Sequence, residues 1–119
     1  GAIWAARLPL AMPVYPRGNL AEAFGSDLAG CRLRAVRFRT PVPAEDVAKF
    51  YVGRGRAAGY SITYAANDTG WQVTGRKGAA RFLVRSRPSV LEHQEIDLVT
   101  LGQPADKQPA RVQRAVSPR

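Results

Sequence analysis

The chain has 119 residues, with 18 Lys plus Arg against 9 Asp plus Glu, a formal net charge of +9 and 45% apolar residues. That size supports one compact core and excludes a two-domain enzyme, and no run of about 18 apolar residues offers a membrane-spanning helix. Fifteen of the 18 cations are Arg, a bias that GC-rich coding also produces, so the charge favours anionic partners without specifying nucleic acid.

Residues 1–30 open with Pro9, Pro13 and Pro16 among Trp4, Leu8, Leu10, Met12 and Tyr15. Prolines at that spacing forbid a long helix, so the segment reads as an extended arm. An apolar arm left in water implies an interface. The first seven residues have no initiator Met, no basic start and too short an apolar run for an intact signal peptide. They read as a mature or trimmed beginning. Cys31 is the one cysteine, which excludes an intrachain disulfide and a cysteine-based zinc site.

Residues 31–101 carry the periodic signal. Val36, Phe38 and Thr40 alternate with Arg37 and Arg39, as in a half-buried strand. Pro43 suits a helix start, and Glu45 and Asp46 favour its positive end. Val47, Phe50, Tyr51, Arg54, Ala57 and Ala58 keep helical spacing to Gly59, which is placed to end the helix. Four alternating runs follow: Tyr60–Tyr64, Trp71–Thr74, Ala80–Arg85 and Ile96–Thr100. Asn67-Asp68-Thr69-Gly70 and Gly75-Arg76-Lys77-Gly78 read as turns between them. The expected fold is α+β: one amphipathic helix on an antiparallel sheet of about four to five strands, in the order strand, helix, strands, with an extended arm at each end. Residues 102–119 hold Pro104, Pro109 and Pro118 but no aromatic residue, and read as a basic tail with too little apolar surface to build a core.

Val14-Tyr15-Pro16, Val36-x-Phe38-x-Thr40, Ala44 to Tyr51 and Ala57-Ala58-Gly59-Tyr60 together resemble a group of small uncharacterised proteobacterial envelope proteins, periplasmic or lipoprotein-like, with a VYPGA opening, a VxFxT strand, a VxxFY helix and an AGY close. The likeness covers residues 13 to about 85 and departs at Arg17, where that group has Gly. It implies a fold and an envelope location, periplasmic or outer-envelope, with the cytoplasm as the alternative. It supplies no catalytic residues.

The chemistry-bearing residues are sparse. Gly53-Arg54-Gly55-Arg56 lacks dinucleotide-loop spacing and sits at a helix end, so it reads as a helix back held close to a neighbour. Cys31 and His93 are the only thiol and imidazole, and nothing in their spacing pairs them. His93, Glu95 and Asp97 share one strand face, where pairing with Arg81 and Arg85 competes with cation binding. These observations favour a protein that is not an enzyme and takes no metal or cofactor. The expected role is a binding or structural accessory domain of the bacterial envelope. It would dock on an acidic protein surface, such as that of a membrane-associated assembly, through Trp4, Leu8 and Tyr15, through Arg37, Arg39, Arg81 and Arg85 on the sheet, and through Arg111 and Arg114 in the tail. The alternative is a nucleic-acid-binding protein using the same cations. It is disfavoured because Phe38, Tyr60, Tyr64, Trp71 and Phe82 fall in the inward phase, where they cannot stack on bases.

Overall fold

In the computed structural model, residues 3–87 and 93–102 are described. A four-residue helix α1 (Ile3–Ala6) precedes β1 (Asn19–Ser26), a single 3-10 turn (Leu28–Gly30) and β2 (Leu33–Thr40). Helix α2 (Ala44–Ala57) follows, then β3 (Ser61–Asn67), β4 (Gly70–Lys77), β5 (Ala80–Arg87) and β6 (Gln94–Leu101). The strands form one sheet in the order β1-β2-β6-β5-β4-β3, every neighbouring pair antiparallel. The α+β class holds. The sheet has six strands, because residues 19–26 form β1 and pair with β2.

The N-terminal segment is part of the fold. Five spacings of about 4.8 Å make a six-stranded sheet about 24 Å wide, whereas one helix is about 10 Å across. Helix α2 packs on β3, β4 and β5, which leaves the apolar side of β1, β2 and β6 uncovered. Residues 3–16 lie there. Met12 is fully buried and Leu8 nearly so, in one core with Val36, Phe38, Ile96 and Leu98. The two halves of this layer are tied together: the Tyr51 hydroxyl donates to the Pro13 carbonyl at 2.7 Å, and Arg54 Nε donates to the Ala11 carbonyl at 3.0 Å. The expected apolar docking arm is thus the second half of the layer that covers the sheet. Prolines stop it from becoming a helix but leave it free to pack.

Helix α2 starts at Pro43 and closes at Gly59, whose φ of +90° suits glycine. Tyr60 N donates to the Gly55 carbonyl at 2.9 Å, completing the helix-terminating turn. Val47 and Tyr51 are fully buried, while Phe50 is half-buried between Tyr15 and Tyr51, both rings edge-on at 5.1 and 5.0 Å. A Cβ on Gly55 would lie 2.7 Å from Ile62 Cδ1, so this glycine lets helix and sheet meet. Gly53 has open space instead. The second expected turn is displaced: Gly75, Arg76 and Lys77 belong to β4, and the chain reverses at Gly78 and Ala79. Gly75 stands opposite Phe82, whose ring lies over the missing side chain.

Candidate docking face

Alternation puts Val36, Phe38, Val73, Phe82, Val84, Ile96 and Leu98 on the covered face. The residues between them point to the other face, on which no element among the described residues packs. Strand registers place the side chains there in rows. One row runs Glu22, Arg37, Asp97, Arg85, Gln72; the next runs Phe24, Ala35, Val99, Leu83, Thr74. A third places Arg76 beside Arg81 and Arg81 beside Leu101, and a fourth Arg39, Glu95 and Arg87.

The first and fourth rows form a charge lattice. Asp97 accepts from Arg37 Nε at 3.0 Å, Arg85 Nε at 3.1 Å and Arg87 Nη1 at 3.3 Å. Arg37 also reaches Glu22 at 2.7 Å, and Glu95 pairs with Arg39 at 3.2 Å and Arg87 at 3.4 Å. Asp97 is 8% exposed. Burial alone would raise its carboxyl, but hydrogen bonds from Arg37 and Arg85 and the charges of Arg37 and Arg87 outweigh it, holding it below the usual carboxylate range. The Arg37 guanidinium is held above its usual value, first by its hydrogen bond to Asp97. Cross-strand pairing, expected for Glu95 and Asp97 with Arg81 and Arg85, forms with Arg85 but not with Arg81; Arg37, Arg39 and Arg87 supply the other partners. The carboxylate oxygens are taken up by guanidinium groups rather than turned toward His93, which is exposed ahead of β6.

The second row is apolar. Phe24 is 60% exposed, and with Ala35, Leu83 and Val99 it lines a groove of about 320 Å³ bordered by Glu22, Arg37, Arg85 and Asp97. Leu101 continues the apolar surface beyond it. Among the described residues, six arginines (37, 39, 76, 81, 85 and 87) share this face with three carboxylates (Glu22, Glu95, Asp97). Among the described residues neither Arg76 nor Arg81 has a carboxylate partner. They stand directly opposite each other, an arrangement that repels, and Arg81 Nη1 bonds only to the Gly78 and Ala80 carbonyls.

Of the residues singled out from sequence, Arg37, Arg39, Arg81 and Arg85 do share this face. Trp4, Leu8 and Tyr15 lie with the opposite layer. Leu8 is core, Tyr15 packs on Phe50, and Trp4 is clamped by Arg7 and Arg34, 5.2 and 5.1 Å from its ring. Arg34 Nε also donates to the Arg7 carbonyl at 3.1 Å, fastening α1 to β2. Arg111 and Arg114 lie outside the described residues. Sequence reasoning missed Phe24, Arg76 and Arg87. Arg87 continues the i, i+2 phase of Arg81 and Arg85 and is legible; Phe24 falls in the expected extended arm and Arg76 in the expected turn. Cys31 and His93 cannot act together. Gly102 N donates to the Cys31 carbonyl at 3.1 Å, which fixes Cys31 at the far end of β6 from His93, roughly 25 Å away at the rise of an eight-residue strand.

No helix among the described residues is long and apolar enough to cross a membrane. Comparisons with protein-family models, curated proteins and solved structures gave no match to this chain.

Proposed function

We propose that this protein is a non-catalytic binding domain whose open sheet face receives an acidic, partly apolar segment of another protein. One observation carries the reading: a whole sheet face bears an exposed apolar groove beside arginines that outnumber the carboxylates two to one. The apolar row supplies burial and the unpaired Arg76 and Arg81 supply charge recognition. A role as an accessory domain of the bacterial envelope is part of the proposal, supported by the sequence resemblance alone. Among the described residues Phe24 is the one aromatic side chain in this face, fewer than a base-stacking platform uses, so a protein segment is preferred to nucleic acid.

The test is a binding titration with the purified full chain. The probes are a peptide alternating Glu or Asp with Leu and Phe, its Lys-substituted counterpart, and a single-stranded RNA. The acidic peptide should bind, weaken with salt, and lose most of its affinity to an Arg76→Glu/Arg81→Glu double variant. Equal binding of acidic and basic peptides would overturn the reading, and tighter binding of RNA would replace it with the nucleic-acid alternative.

A further inference from the structure

The sheet has two edges, and they are built differently. β1 carries Glu22, and its register with β2 shifts between Leu20 and Glu22. A bulge and a charge are devices that discourage further strand pairing. β3 has neither. Its seven residues, Ser-Ile-Thr-Tyr-Ala-Ala-Asn, contain no charge and no proline, it pairs continuously with β4, and all but Ile62 are exposed. Such an edge offers unpaired backbone groups to an added strand.

The surface above that edge is also unfinished. Ile62 and Tyr64, the latter 52% exposed, floor a groove of about 550 Å³ walled by the α2 stripe Glu45, Lys49, Gly53 and Arg56. Gly53 lies inside a 14-residue helix with nothing near it. Unlike Gly55, it has no packing reason among the described residues to be glycine.

We propose that the occupant of this edge is a second copy of the chain, with β3 pairing antiparallel to β3 about a two-fold axis to give a continuous twelve-stranded sheet. The pairing is self-complementary. With Tyr64 on the axis, Thr63 meets Ala65 and Ile62 meets Ala66, and no like charges oppose. Helix α2 turns back into β3 at Gly59, so the two α2 helices run antiparallel across the axis. Glu45 of one copy then faces Arg56 of the other, at both ends of the seam. If each helix is centred over its β4, three strand spacings separate the axes by about 14 Å, wider than the 8–10 Å of directly packed helices. The two Tyr64 rings fill that gap, and the absent side chain at Gly53 leaves room for them.

Sedimentation velocity of the full chain over a concentration series is the test, with circular dichroism to verify folding of each variant. The native chain should dimerise, and Tyr64→Lys should be a folded monomer. Glu45→Arg should weaken dimerisation at least tenfold, and adding Arg56→Glu should restore it, because the two-fold sets each against the other. Arg76→Glu/Arg81→Glu, on the opposite face, should leave the dimer intact, which separates this inference from the docking reading. A native chain that stays monomeric throughout, or captures only a foreign strand at β3, refutes self-pairing. So does a dimer indifferent to Tyr64→Lys, or one that the paired charge swap fails to restore.

Discussion

Replacing Asp97 by Asn keeps the shape at the centre of the charge lattice and removes its charge. The carboxylate accepts three guanidinium hydrogen bonds, from Arg37, Arg85 and Arg87. Asn retains one acceptor oxygen and turns an NH₂ group toward donors, so at least one bond is lost and those remaining lose their charge assistance. Hydrogen bonds to charged groups contribute about 1.5–3 kcal/mol against about 0.5–1.5 for neutral ones. Because the Arg85 side chain is half exposed and screened, we expect a loss of about 2–3 kcal/mol at neutral pH. Folding lowers the Asp97 carboxyl, so its stabilisation is complete above the unfolded value of about 3.9 and fades as pH falls through the lower folded value. The difference between native and Asp97→Asn proteins should therefore be constant near neutrality and shrink below about pH 4. Other carboxylates protonate in both proteins and cancel. Urea unfolding followed by far-ultraviolet circular dichroism at a series of pH values measures it. A difference of the same size in strong acid, or none at neutral pH, would refute the lattice argument.

Met12→Ala should cost about 2–5 kcal/mol in chemical denaturation, since Met12 is fully buried in the core; an effect within error would return the N-terminal segment to the status of a free arm. The two helix glycines should respond oppositely. Gly53→Ala, measured in the monomeric Tyr64→Lys background where that position keeps its open space, should raise stability by about 0.5–1 kcal/mol. Gly55→Ala should lower it in the same thermal melts, because a Cβ 2.7 Å from Ile62 Cδ1 and 3.1 Å from Phe82 Cζ costs about 1–3 kcal/mol of overpacking. Tyr51→Phe should lose about 1 kcal/mol by removing the bond to the Pro13 carbonyl; burial pushes the Tyr51 phenol up, so this difference should persist to alkaline pH. Cys31→Ala, at an exposed position, should leave stability within about 0.5 kcal/mol and peptide binding unchanged by titration.

The central strands were legible because each has one face in the core and one in solvent. Val36, Phe38 and Thr40 alternate with arginines for that reason, and so do Ile96 and Leu98 with Glu95 and Asp97. Helix α2 was legible from Val47 and Tyr51 with Gly59 as its stop. β1 was not, since a bulge breaks its alternation and its inward positions include Ala23 and Gly25, the latter leaving room for Trp4. The role of residues 3–16 was hidden for a different reason: their burial follows from sheet width, which no local pattern states. Tyr64 holds the inward phase of β3, yet it floors an open groove beside α2 and is exposed. The arginine face was legible in part, from the phase of residues 37, 39, 81 and 85. The apolar row beside it was not, because Phe24, Ala35, Leu83 and Val99 come together only through the order in which four strands pair.

The docking claim is tested most directly by a photocrosslinking amino acid placed at Phe24 in cells that naturally make this protein, with the same residue at Leu10 on the opposite layer as reference. Leu10 is 67% exposed, so accessibility alone does not separate the two positions. A discrete adduct is expected at Phe24 alone, whose partner contact peptide, sequenced by mass spectrometry, is rich in Asp and Glu. Equal labelling at both positions, or a contact peptide that is basic, would contradict it.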